Sequence, residues 1–165
     1  PRGEGVGVDL PKIGVPIEIG KGRIIQEGER VAILSFGTHL SDVVAAAEIL
    51  KGRGLEISIA DARFSKPLDT KLIEDLIANH EALITIEEGS KGGFGAHVLH
   101  WLAETGKLDQ GVKVRTLTMK DQFIDQASPT DMYIEAGLDS SSIVDCVTDI
   151  LNTRTVSHKK IKIVN

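Results

Sequence analysis

The chain has 165 residues, 41% of them hydrophobic and 26% charged, and a formal net charge of −5. That length suffices for one domain with a real core, and the composition is that of a globular protein rather than a disordered segment. No apolar run approaches the ~20 residues that span a bilayer, the first residues lack the charged-then-apolar layout of a signal peptide, and an acidic body argues against a nucleic-acid partner.

The opening stretch, PRGEGVG, has neither a methionine nor a structural beginning, and the chain is expected to be a fragment of a longer one. Residues 1–22 are rich in glycine and proline without periodicity, which predicts a linker or strap across a surface. Residues 22–27 then read as a short edge strand, turned at Glu27, Gly28 and Glu29 into a hairpin with the next strand. That next strand, Val31 to Phe36, is continuously apolar, as expected for a strand buried on both faces. After Gly37 and Thr38, the residues Leu40, Val43, Val44, Ala47 and Leu50 mark one helical stripe, ended by Gly52 and Gly54.

The pattern repeats. A strand over 57–60 runs into a polar turn carrying Asp61, Arg63 and Lys66. Pro67 forbids helix at the residue before it, and Asp69 is placed to cap a helix with Leu72, Ile73, Leu76 and Ile77 on one face. A strand over 82–86 leads through glycines to a helix carrying Phe94, Val98, Leu99 and Leu102. A fourth core strand over 112–117 and an irregular acidic segment follow. Ser128, Pro129 and Asp131 form a helix start, and Gly137 a stop. The last amphipathic helix carries Ile143, Val144, Val147, Ile150 and Leu151, and residues 152–165 form a basic tail holding Arg154, Lys159, Lys160 and Lys162. Strand and helix alternating in this way predict an α/β three-layer sandwich, with a mainly parallel sheet of about five strands and one antiparallel edge strand.

Candidate chemistry is sparse. Strand ends gather ligands in such sheets, which makes Arg63 a candidate anion anchor; the same residue equally fits an ion pair with Asp61 or another rim carboxylate. The glycine-rich loop EEGSKGGFG over 87–95 invites a phosphate cradle, but neither G-x-G-x-x-G nor G-x-x-x-x-G-K-[ST] can be drawn through it. Glu87 and Glu88, just before it, would repel a phosphate. The loop is instead expected to pack against another surface, with Glu87 or Glu88 accepting hydrogen bonds there. His97 lies beside this loop and reads either as a site residue or as an ordinary helix-surface histidine. His97 and His100 lack a third zinc ligand, Asp121, Asp125 and Asp131 are too loosely spread for a calcium loop, and no G-x-S-x-G elbow is present. The single cysteine, Cys146, reads as a small buried hydrophobe, and a reducing, cytoplasmic compartment fits.

Several segments together resemble the C-terminal domain of 1-deoxy-D-xylulose-5-phosphate synthases, which are transketolase-like enzymes. They are PRGEGVG at 1–7, IEIGKG at 17–22, ADARFSKPLD at 60–69, IEEGSKGGFG at 86–95 and EAGL at 135–138. The likeness runs in order and with matching spacing through residues 1–151 and leaves out the tail. It implies a piece of an enzyme that decarboxylates pyruvate on thiamine diphosphate and passes the two-carbon unit to D-glyceraldehyde 3-phosphate, feeding isoprenoid, thiamine and pyridoxal synthesis. It also implies that thiamine diphosphate and Mg are bound by domains absent from this chain, because the Gly-Asp-Gly motif and the cofactor-activating glutamate are not here. The chain alone is then expected to be inactive, and the full protein to be a homodimer in a bacterial-type cytoplasm rather than a plastid stroma. The resemblance assigns Arg63 to the acceptor's phosphate, for which a guanidinium fork suits better than a lysine. Phe64 and Lys66 beside it read as packing and surface charge. The family's partner arginine would fall upstream of Pro1, and Arg2 is not that residue. In this family the glycine loop packs between domains or subunits. Two alternatives remain on the residues alone: the matching domain of a 2-oxoacid dehydrogenase β subunit that docks a lipoyl partner, or a stand-alone interaction module.

Overall fold

The computed structural model describes residues 12–152. The expected strap is therefore seen only from Lys12, and of the expected tail only Asn152, the last residue of the final helix; the rest of both lies outside the described residues. Five strands, β1 (Arg23–Gln26), β2 (Val31–Phe36), β3 (Ser58–Asp61), β4 (Ala82–Glu87) and β5 (Lys113–Leu117), form one sheet in the order β1-β3-β2-β4-β5. Strands β2 to β5 run parallel, and β1 pairs antiparallel with β3. Helices α1 (Leu40–Gly52), α2 (Thr70–Asn79) and α3 (Phe94–Glu104) each follow a parallel strand. A 3-10 turn at Lys107–Gln110 leads into β5, and α4 (Pro129–Ala136) and α5 (Ser140–Asn152) close the chain. The expected α/β sandwich is the observed one.

Strand β2 shows why the sheet must be covered twice. Val31 and Ile33 point into a core shared with α1 and α5, whereas Ala32 and Leu34 point into a second core shared with α2 and α3. Every residue from Val31 to Ser35 is buried, so the apolar run has no solvent face, as a central parallel strand requires. The helices sit on opposite faces because the chain reverses. It steps from β2 outward to β3 through α1, then back across β2 to β4 through α2, and crossovers of one hand then fall on opposite sides.

Local signals account for the boundaries. Asp69 accepts the Leu72 N–H at 3.1 Å and starts α2. Ser128 caps α4 by accepting the Asp131 N–H, Pro129 occupies the first turn, and Gly137 ends the helix with φ +77°. On α1 the buried stripe is Val43, Ala46, Ala47 and Leu50, while Val44 is 39% exposed. A stripe of small residues reads weakly in sequence, and the expectation included the larger Val44 where the structure buries Ala46.

Two expectations on the sheet are corrected. The strand at 22–27 forms no hairpin with β2: it passes over the start of β3 and pairs with β3's outer edge. Gly28 permits that crossing, since a Cβ there would lie 2.3 Å from the Ile57 carbonyl carbon, and its N–H bonds Ser58 Oγ at 2.9 Å. Both sides of β2 are already taken, by β3 and β4, which leaves no edge for a hairpin. Strand β5 is likewise the second edge of the sheet rather than a core strand, with Arg115 and Thr116 exposed. Among the described residues no helix is long and apolar enough to cross a membrane.

Candidate functional site

The reversal between β2 and β4 makes the crevice beyond their carboxyl ends the natural ligand position in a sheet of this kind. Here that crevice is filled by the chain itself. Glu88, just past β4, accepts from Thr38 Oγ1 at 3.1 Å on the β2 side and from the Tyr133 hydroxyl of α4 at 2.7 Å. The Tyr133 bond, and secondarily the Thr38 bond, hold the Glu88 carboxyl below the usual carboxylate range; the same carboxylate raises the Tyr133 phenol. His39 is fully buried beneath, with Nδ1 3.0 Å from Asp42 Oδ2 and its ring edge-on to Tyr133 at 4.6 Å.

The glycine-rich loop is filled too. Glu87 is 4% exposed, and its carboxylate accepts the Phe94 and Gly95 N–H groups, each at 2.8 Å. These are the first free donors of α3, the position a phosphate would take at a helix N-terminus. The glycines make room for that carboxylate: a Cβ would lie 2.2 Å from Glu87 Oε2 at Gly93 and 2.5 Å at Gly89. As expected from the sequence, these acids accept hydrogen bonds. Within this domain, the Glu87 side chain packs on the glycines.

Next along the edge, past β3, stands Arg63. The strand ladder continues to Ala62, whose N–H bonds the Ser35 carbonyl at 2.8 Å. Arg63 then turns into the left-handed region with φ +57°, a conformation that costs a residue with a Cβ about 1 kcal/mol or more and tends to mark functional positions. Its N–H donates to Asp61 Oδ1 at 3.1 Å, which holds the turn. The side chain is 25% exposed, and its Nε lies 3.7 Å from Asp61 Oδ2, near enough for Coulomb attraction but beyond a hydrogen bond. That same Oδ2 instead accepts Arg23 Nε of β1 at 3.1 Å. Of the two readings of Arg63, pairing with Asp61 is thus present in part, and among the described residues the guanidinium fork keeps donors to spare.

The neighbours divide as their types suggest. Phe64 lines a small apolar pocket with Leu34, Leu68, Leu72 and Phe94, and Lys66 is exposed. With His100 and Trp101 of α3, His97 borders an open groove of about 440 Å³ whose other wall includes Ser65, Lys66, Pro67 and Leu68 but not Arg63. Cys146 is largely buried, and that burial pushes its thiol up, away from the reactive form. Among the described residues no three His, Cys, Asp or Glu side chains gather as a metal site. Sequence reasoning missed Thr38, His39, Tyr133 and Arg23. Tyr133 gave no signal, 45 positions from its partner Glu88; Arg23 would have shown only to a reader who knew that β1 pairs with β3.

A mixed sheet that reverses at β2 and β4, with its polar side chains massed on the loops at the carboxyl edge, defines a doubly wound α/β domain. The chain belongs to the transketolase C-terminal domain family, whose model, described as "Transketolase, C-terminal domain", matches residues 20–143. It is 54% identical over 157 residues to the 1-deoxy-D-xylulose-5-phosphate synthase 2 of Jannaschia sp. (strain CCS1), covering 95% of this chain and 25% of that protein. Among solved structures it is similar to a split gene transketolase, described as an inactive beta4 tetramer, with a TM-score of 0.74 and 26% identity. That match covers 83% of this chain and 44% of the other. The chain therefore spans about a quarter of the length of the curated relative it matches.

Proposed function

We propose that this chain is the C-terminal domain of a 1-deoxy-D-xylulose-5-phosphate synthase, and that Arg63 receives the phosphate of D-glyceraldehyde 3-phosphate in the assembled enzyme. The observation that carries the second half is the Arg63 turn. A strained backbone, braced by Asp61, sets a partly exposed guanidinium at the carboxyl end of a parallel strand without a hydrogen bond to its nearest carboxylate. Such a fork matches two phosphate oxygens at once. The first half draws support from 54% identity across 95% of the chain.

The family's cofactor, thiamine diphosphate with a divalent metal, does not fit the described residues. The backbone donors that would take a diphosphate are held by Glu87, and no cluster of metal-ligating side chains is present among the described residues. The cofactor, the Mg ion and the chemistry on pyruvate belong in this reading to the other domains, and the chain alone is inactive. Residues 1–22 serve as the strap from the preceding domain. Within it Ile13, Val15, Ile17 and Ile19 alternate with polar or small residues and are 53–84% exposed, an apolar edge suited to cover by that domain. The assembled protein acts as a homodimer in the cytoplasm.

The test is Arg63→Ala in the full-length protein. Losing a charge-assisted contact worth on the order of 1.5–3 kcal/mol raises KM for glyceraldehyde 3-phosphate about ten- to a hundredfold. KM for pyruvate and turnover with unphosphorylated glyceraldehyde stay near wild type. Arg63→Gly, which relaxes the positive φ, gives the same result, because the guanidinium and not the turn is lost. An equal effect on both substrates overturns the assignment.

A further inference from the structure

Asp61 stands between two arginines and satisfies only one of them. The antiparallel register sets Arg23 of β1 directly opposite Asp61 of β3, so their side chains meet across the sheet edge. The approach is fixed at close range. A Cβ on Gly22 would lie 2.8 Å from the Asp61 carbonyl oxygen, and the Gly22 N–H is held by Asp69 Oδ2 at 3.1 Å. Asp61 Oδ1 is engaged by the Arg63 N–H and Oδ2 by Arg23 Nε, both at 3.1 Å. The Arg63 guanidinium waits at 3.7 Å from an oxygen already used. Without Arg23, a shift of about 1 Å would close an ordinary hydrogen bond between Arg63 and Asp61. The exposures follow the same order: Asp61 is 16% exposed, Arg63 25% and Arg23 51%, so the outer arginine covers the carboxylate from solvent.

We propose that Arg23 is a positioning residue: by occupying Asp61 across the β1–β3 edge it keeps that carboxylate from capturing the Arg63 guanidinium, which stays free for a phosphate dianion. The proposal rests on the reading of Arg63 as the phosphate anchor. Arg23 does not touch the substrate. It acts through Asp61, and the pair of guanidiniums around one carboxylate also leaves a local excess of positive charge.

The experiment is a mutant cycle in the full-length protein, with glyceraldehyde 3-phosphate, unphosphorylated glyceraldehyde and pyruvate as substrates. Arg23→Ala raises KM for the phosphorylated acceptor by roughly three- to fivefold, the scale of a half-exposed ion pair, with kcat and KM for pyruvate holding. Arg23→Lys restores most of the loss. In an Asp61→Asn background, where no anion competes for Arg63, Arg23→Ala has no further effect. If Arg23→Ala costs the same in that background, Arg23 works by its field or by direct contact, and the proposal is overturned. It is overturned as well if Arg23→Ala leaves KM unchanged while Arg63→Ala raises it, a result under which the Arg63 reading survives alone. If Arg63→Ala shows no preference for the phosphorylated acceptor, both fall together.

Discussion

Replacing Glu87 by alanine removes the side chain that fills the N-terminus of α3. Two N–H donors, of Phe94 and Gly95, then lose acceptors held at 2.8 Å in a site only 4% exposed. Each charge-assisted bond is worth about 1.5–3 kcal/mol, and the helix end adds up to about 1 kcal/mol for a lost negative charge. The two bonds share one carboxylate and do not add in full, and water can reach the vacated space through the exposed Gly92. A loss of about 3 kcal/mol follows, read as the difference in unfolding free energy by urea titration. Gly93→Ala should cost nearly as much, since its Cβ would sit 2.2 Å from Glu87 Oε2 and the backbone at φ −81°, ψ −142° lies outside the regions open to a residue with a Cβ. In the Glu87→Ala background it should cost less, because the atom it strikes is gone and only the backbone strain remains. The vacated seat then becomes an ordinary anion site. Sulfate at about 100 mM against a dissociation constant of about 10 mM would return about 1.4 kcal/mol to Glu87→Ala beyond what it gives the wild type, whose general salting effect is subtracted. A Glu87→Ala protein within about 1 kcal/mol of wild type, or one that sulfate stabilises no more than wild type, would refute the self-capped loop.

Two further expectations concern the ties around this edge. Asp69→Ala removes the α2 cap together with the acceptor for the Gly22 N–H, and should lower stability by about 1–2 kcal/mol. Asp69→Ser should restore the cap but not the second tie, leaving faster tryptic cleavage after Lys21 as its signature. Tyr133→Phe removes the bond to Glu88, worth about 0.5–1 kcal/mol once its exposure is allowed for. The sign at each end follows from the two shifts: Glu88 is depressed, so its contribution is lost as pH falls below the carboxylate range, and Tyr133 is raised, so its contribution is lost as pH rises past the phenol range. The gap between wild type and Tyr133→Phe should therefore be flat from about pH 5 to about pH 9 and shrink on both sides. A gap that widens toward acid would contradict the assigned partners.

The parts of this structure legible in the sequence are those set by local chemistry. The run from Val31 to Phe36, the cap at Asp69, and the start and stop at Ser128 and Gly137 each depend on residues close to one another in the chain. What stayed hidden depends on which strands adjoin. A reader who expects β1 to fold back on β2 has no reason to set Arg23 against Asp61, although 38 residues separate them and the sheet makes them neighbours. The Glu88 network needs α4 to return over the β2–β4 crevice, which no periodicity encodes. Glu87 was half legible: two acids before a glycine loop spoke against phosphate, but only the folded chain shows the carboxylate itself in the phosphate position.

That substitution bears on why the edge keeps an arginine only loosely paired with its nearest acid. Three places on the carboxyl side of this sheet could hold an anion: the α3 N-terminus, the β2–β4 crevice and the Arg63 turn. The first is occupied by Glu87 and the second by Glu88, both anchored by donors from the chain's own backbone or side chains. At the third, the nearest carboxylate has its hydrogen-bonding oxygens drawn off by the Arg63 N–H and by Arg23. Internal carboxylates that quench two of the three anion seats leave selectivity to the third, where in the proposed reading a side-chain fork rather than a backbone cradle would do the binding. A backbone cradle grips any phosphate that reaches it. A fork on a strained turn can be aimed, and under the proposal that aim belongs to Asp61, which holds the Arg63 N–H.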